Sequence, residues 1–459
     1  MLLSDLIRVT GGSFTCGVEA RIKGVSTDSR SMRKGDAFIA IRGPRYDGHD
    51  FIGSAVDKGA SCVVTSRQWA RGKRKKILFK GTAAVGVDDT LKALGDIAHY
   101  HRMRFTLPVI AITGSAGKTT TKEMLASIMG IRHNVLKTEG NDNNLIGVPL
   151  TLLRLNERHG VCIVEMGTNV PGEIRRLACI ARPTMGIITN IGDSHLEGFG
   201  TRKNVFLEKK ALVDSLGPAG QAILNKDDRF LSSLRPARRA GFFGIKKPCA
   251  YRAVHVRQTA DGWKFRVRGS KFGIRLVGRH SIYNALACIA AGNMLKIGMK
   301  DMAGSLAGFS VPMGNRLAVR ECGRITLIDD TYNSNPLSFE SALSALADIR
   351  GRRRSMVVAS DMLELGRKSM YLHREIGKMI ADRNVDMLLT HGDMAKYTSG
   401  AAARRGMDAG NVRHFPTQDA LIDALAGSVS QGDIILVKGS RGMRMERVVR
   451  AVESLSGKE

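Results

Sequence analysis

The stretch that most constrains this chain is "VIAITGSAGKTTTKEML", residues 109–125: a short apolar run, a glycine-bearing loop and then a helical pattern. A strand that turns through two glycines into a helix points backbone N–H groups, and the positive end of the helix dipole, at an anion. Gly114, Ser115, Ala116 and Gly117 form the loop, Lys118 would reach terminal phosphates, and the hydroxyl of Thr119 or Thr120 would ligate magnesium. A Walker A loop would need glycine at 112, where Ile112 stands, so the spacing here is a shortened form of it. Such a unit belongs in an alternating, helix-covered parallel sheet.

The rest of the chain agrees. "GVCIVEMG", "MGIITNIG", "GQAILNKDD" and "GFFGIKK" are short apolar runs separated by helix-like segments, and "YRAVHVRQTADGWKFRVRG" alternates and turns as an antiparallel insertion would. At 459 residues, two or three domains are expected. The reading is α/β throughout: a small α/β domain over 1–82, a central phosphate-loop domain with a mainly parallel sheet over 83–311, and a Rossmann-like α/β domain over 312–459.

The net charge is +29, from 71 Lys and Arg against 42 Asp and Glu. The cations are dispersed, with the densest runs, "ARGKRKK" (70–76) and "GRRRS" (351–355), read as exposed loops. Aromatics are only 5%, little material for stacking bases, so anionic small substrates are expected ahead of nucleic acid. Seven cysteines fall singly, without a C-x-x-C pair, which argues against a zinc or disulfide framework. No export signal or apolar run long enough for a membrane span is read, and a cytoplasmic monomer is expected.

A phosphate loop working with Mg²⁺ needs a carboxylate at a neighbouring strand end, and Glu165 in "GVCIVEMG" supplies one. His195, after the next strand in "NIGDSHLEGFG", is a candidate second metal ligand. "LNKDD" (224–228) mimics the Asn-Lys-x-Asp guanine signature, which raises a GTPase as a rival reading.

Together with "STDSRSMRKGDAFIAIRGPRYDGHDF" (26–51), "TEGNDNNLIGVPLTLL" (138–153), "SHLEGFGT" (194–201), "DDTYNSNP" (329–336), "DMLELG" (361–366) and "KGSRGMRME" (438–446), these residues resemble the Mur ligase family over nearly the whole chain. The family's phosphate loop has the short Gly-x-x-Gly-Lys-Thr-Thr form, and its "LNxDD" segment accounts for the guanine mimic. The resemblance implies an ATP-dependent ligase of peptidoglycan synthesis that adds D-alanyl-D-alanine to UDP-N-acetylmuramoyl-tripeptide through an acyl phosphate. The alternatives are another Mur-type ligase and, from a different class, a nucleotide-switched nucleic-acid-binding protein.

Residue by residue, the resemblance assigns the UDP end of the substrate to Ser26, Asp28, Ser29, Arg30 and Arg45. Asn141, Asn143 and Asn144 lie where the substrate runs toward ATP, with Asp142 in place of the more usual aliphatic residue. Thr119 would hold a first Mg²⁺, and Glu165 and His195 a second. Lys209 would be carbamylated by CO₂ to bridge a metal, with Lys210 as the cation that lowers its pKa. Asn284 would meet adenine, with Ser281 replacing the family's first Asn. Arg316 and Asp330 would approach the phosphates and ribose, while Tyr332, Asn333, Asn335, Lys438, Ser440 and Arg441 would hold the dipeptide or the acyl phosphate.

Overall fold

The computed structural model describes residues 1–17, 19–71, 82–235, 239–259, 262–310 and 316–455. Most of the basic run at 70–76 and residues 260–261 and 311–315 lie outside them.

Seven parallel strands make the central sheet, in the order Tyr251–Arg252, Arg239–Gly244, Gln221–Asn225, Met185–Ile188, Val109–Thr113, Val161–Glu165, Val135–Lys137. Every residue of Val109–Thr113 and of Val161–Glu165 is buried, as unbroken apolar runs require when helices cover both faces. The phosphate-loop strand sits where the order switches, its neighbours lying to either side, so the crevice opens at the carboxyl ends of the strands.

A five-stranded sheet precedes it, with Val25–Ser26, Ala37–Ile39, Cys62–Ser66 and Ala83–Val87 parallel and Ser13–Cys16 antiparallel at the edge. A three-stranded antiparallel sheet, Val254–Thr259, Gly262–Val267 and Ser270–Ile274, packs its apolar face into the central core beside the helix His280–Met294. Six strands form the last sheet: Ile325–Asp330, Ile434–Lys438, Ser355–Ser360, Met387–His391 and Val412–Phe415 are parallel, with Ala318–Cys322 antiparallel at one edge. No helix among the described residues is long and apolar enough to cross a membrane.

In the first domain a 3₁₀ turn, Gly48–Phe51, leads into the helix Ile52–Asp57. One sequence expectation changes. "GRRRS" is exposed only in part: Arg353 donates to Thr326 Oγ1 at 2.6 Å, Arg354 lies 3.2 Å from Asp433, and Ser355 is buried.

The "LNKDD" residues are structural. Asp228 accepts from the Ile191, Phe230 and Leu231 amides, and Asn225 donates to Thr189 O. Asp227 accepts from the Ile245, Lys246 and Lys247 amides at 2.7–2.9 Å and from the Tyr283 hydroxyl at 2.9 Å. Burial raises the Asp227 pKa, but these donors outweigh it and hold the carboxyl below its usual value. Asp227→Ala should therefore destabilise the fold by about 2–4 kcal/mol in urea denaturation at neutral pH. The contribution in the parent chain should fade as pH falls below about 4, where the carboxylate protonates.

Candidate functional site

Register brings the chemistry to one end of the central sheet. Ile112 pairs with both Glu165 and Ile187, so the loop after Thr113, the carboxylate of Glu165 and the loop after Ile188 emerge side by side. Gly114 has φ +154° and a Cβ there would collide with Thr189 Oγ1; Gly117 has φ +79° and a Cβ would lie 2.5 Å from Asn284 Oδ1. Both positions demand glycine. Asn190, unremarked in the sequence, pins the loop: its carbonyl accepts from Ser115 N–H at 3.1 Å and its Oδ1 from Ala116 N–H at 2.9 Å. The Ser115 hydroxyl is engaged with Gly192 and Ser194. That leaves the amides at the start of the helix Lys118–Met129, which has no side-chain cap, to face an anion.

Glu165 is 1% exposed, and each of its carboxylate oxygens accepts one hydrogen bond. Oε2 accepts from the Thr119 hydroxyl at 2.8 Å and Oε1 from Asn143 Nδ2 at 2.9 Å, while Lys122 Nζ stands 3.9 Å away. Arg316 reaches across from the C-terminal sheet to donate to the same Thr119 hydroxyl. Lys118 Nζ folds back onto Gly114 O at 2.9 Å. Burial lowers its pKa, Glu165 opposes that and Arg316 reinforces it.

Thr119 and Glu165 thus present a hydroxyl and a carboxylate at one point, a donor set that suits a hard divalent cation. No cluster of three His, Cys, Asp or Glu exists among the described residues, so the protein offers a partial shell that phosphate oxygens and water would complete.

His195 adopts a left-handed backbone, φ +51°, at the start of a short helix, and its Nδ1 lies 2.6 Å from Glu364 Oε2 on the C-terminal side. That contact holds the Glu364 carboxyl below its ordinary range. Lys209 is 1% exposed, and its ammonium is pushed well below the ordinary lysine value by burial first and by Lys118 second. Lys210, the cation expected to do this, instead pairs with Asp214 at 2.6 Å. Glu208 beside it caps the helix Glu173–Ala181, accepting from the Gly172 and Ile174 amides at 2.7 Å.

From the C-terminal sheet, the Arg316 guanidinium stacks 3.8 Å from the Tyr332 ring centroid, with Arg441 on the same ring at 5.5 Å. Asn335 donates to Ser115 O at 3.3 Å and caps the helix Pro336–Arg350. Lys438 differs from its expected role. It is fully buried, salt-bridged to Asp330 at 2.5 Å and donating to Asn333 O at 3.0 Å, so it positions those residues and does not face the cleft. Burial also drives the His280 imidazole beside this pair down to about 4.

A cleft of about 450 Å³ collects the loop from Ser115 to Lys118 with Thr120, the three asparagines 141, 143 and 144, and Glu165, His195 and Asn284. Facing them are Arg316, Asp330, Tyr332, Asn333, Asn335, Ser440 and Arg441. Asn144 also accepts from the Ile146 and Gly147 amides, so it shapes the turn. Ser26, Asp28, Ser29, Arg30 and Arg45 lie away from the cleft; Arg30 pairs with Asp28 at 2.8 Å, and its hydrogen bonds draw the Asp28 carboxyl down to about 2.

Family models match three consecutive stretches: the Mur ligase family catalytic domain at 21–102, the Mur ligase middle domain at 112–292, and the Mur ligase glutamate ligase domain at 315–441. The chain is similar to UDP-N-acetylmuramoyl-tripeptide--D-alanyl-D-alanine ligase of Bacillus subtilis, at 34% identity over 94% of this chain and 93% of the relative. It is also similar to the ligase of the same name from Escherichia coli, at 32% over 98% of each. The structure resembles MurF from Acinetobacter baumannii, with a TM-score of 0.88, 30% identity and 98% of each chain covered. It likewise resembles MurF from Thermotoga maritima in complex with ADP, with a TM-score of 0.83, 27% identity, and 95% and 98% covered. A phosphate loop of the short Gly-x-x-Gly-Lys-Thr-Thr form, the strand-end carboxylate beside it and these full-length likenesses lead to one conclusion: the chain belongs to the Mur ligase family.

Proposed function

We propose that this chain is an ATP-dependent ligase that joins D-alanyl-D-alanine to UDP-N-acetylmuramoyl-tripeptide, releasing ADP and phosphate, in peptidoglycan synthesis. The observation that carries the reading is the junction of Thr119, Glu165 and Arg316, where the central sheet's phosphate loop and the C-terminal sheet meet in one cleft. A carboxylate is a poor electrophile. Transfer of the γ-phosphoryl group of ATP to the tripeptide's terminal carboxylate makes an acyl phosphate, and attack by the dipeptide amine forms the amide as phosphate leaves.

The chain's own groups serve each step. The helix-start amides and Lys118 receive the β- and γ-phosphates, and Arg316, held over the Tyr332 ring, offsets charge on the phosphoryl group in flight. Asn143 and Thr119 fix Glu165. Asn284 and Asp330 face the nucleoside, and Arg441, Ser440 and Asn333 face the incoming dipeptide. Ser26, Asp28, Ser29, Arg30 and Arg45 hold the UDP end, remote from the chemistry. Because Arg316 and Asn335 come from segments flanking the C-terminal sheet, closing that sheet over the loop excludes water from the acyl phosphate.

Thr119 would hold a first Mg²⁺, and Glu165 beside it would join His195 in holding a second, ions that lower the barrier by neutralising phosphoryl charge. Lys209 fits a carbamate, since its buried amine is held toward the neutral form that adds CO₂.

Three outcomes are expected. Phosphate release from Mg-ATP with UDP-N-acetylmuramoyl-tripeptide should require D-alanyl-D-alanine and match pentapeptide formation by mass; release that follows another amino acid instead would mark a different Mur-type ligase. Lys118→Ala should lower turnover by at least about 10³-fold while calorimetry shows UDP-substrate binding nearly unchanged. After incubation with ¹³C-bicarbonate, a carbamate resonance should appear in the parent protein and be missing from Lys209→Ala; its presence in both would remove the assignment.

A further inference from the structure

The three-stranded sheet Val254–Thr259, Gly262–Val267 and Ser270–Ile274 has a second face. Trp263, Phe265, Val267, Phe272 and Ile274 point into the core, so the alternate residues point out. There Arg257 stands directly opposite Lys264, and Arg266 directly opposite Lys271, all four exposed. Like charges in facing positions of an antiparallel pair repel. Among the described residues, none of the four side chains has a hydrogen bond or an ion pair. Residues 251–277 carry seven Lys and Arg against a single acid, Asp261, which lies outside the described residues. Nor do these four belong to the cleft.

A repulsive cationic face that the fold does not offset is satisfied by an external polyanion. An open face three strands wide spreads its charge over roughly 10 Å in the pairing direction, which suits an extended anionic surface. The aromatics of these strands are all turned inward, so the bases of a single strand find no stacking platform. The one large apolar side chain these strands expose is Val254, too little to enter hydrocarbon. We propose that this face adsorbs the protein onto the anionic headgroups of a phospholipid bilayer, without insertion. Such adsorption gives the +29 net charge a use that the ligase chemistry alone does not require.

Flotation with vesicles tests it. The full chain should float with phosphatidylcholine–phosphatidylglycerol vesicles and not with phosphatidylcholine alone, at about 0.15 M salt. The triple variant Lys264→Gln, Arg266→Gln, Lys271→Gln should bind about 100-fold more weakly, at about fivefold per charge, while its ligase turnover shows that it folds. A control with three exposed cations removed elsewhere, Arg374→Gln, Lys378→Gln and Arg404→Gln, should keep its binding within about twofold. Equal loss in the two variants would reduce the effect to diffuse net charge and overturn the proposal. So would equal binding to uncharged vesicles, or a preference for duplex DNA or RNA over the anionic vesicles.

Discussion

A carboxylate taken out of water costs several kcal/mol unless cations and hydrogen-bond donors meet it, and Glu165 is almost wholly buried. Thr119, Asn143 and Lys122 answer that demand from two elements: the phosphate-loop helix supplies the hydroxyl and the lysine, and the asparagine turn supplies an amide. Arg316, arriving from the last sheet, completes the set through Thr119. One buried charge therefore fixes the loop, the substrate turn and the approach of the C-terminal sheet together. The site's geometry follows from that electrostatic requirement more than from any single motif.

The parallel sheet makes the requirement affordable. Strands buried on both faces carry their polar residues only at their carboxyl ends, so Glu165, Thr189 and Asn190 fall beside the glycine loop by register. Gly114 and Gly117 then allow the backbone to pass within contact of Thr189 and Asn284. On the facing side, buried Lys438 neutralises Asp330 and orients the Asn333 carbonyl, a scaffold for groups that look into the cleft.

Much of this was legible in the letters. Glycine spacing, uninterrupted apolar strands and a carboxylate at a strand end are local signals, and they located the loop, the central sheet and Glu165. Long-range pairings were not legible, because proximity between distant segments leaves no local trace: Asn190 beneath the loop and Glu364 against His195 emerge only when the sheets are assembled. Lys438 is expected at the dipeptide or the acyl phosphate, yet burial and Asp330 make it a structural ion. "LNKDD" shows the opposite error, since short polar side chains that cap their own backbone can spell a nucleotide motif. At Lys209 the depressed pKa comes from burial and Lys118, where adjacency in sequence points to Lys210.

The central claim is that one cleft passes a phosphoryl group to a carboxylate and then exchanges it for an amine. Labelling the terminal carboxylate of the tripeptide with ¹⁸O tests it most directly. An acyl phosphate requires that one labelled oxygen leave with the phosphate and appear in the inorganic product, with ADP as the nucleotide. Unlabelled phosphate, or AMP carrying the label, would contradict the account.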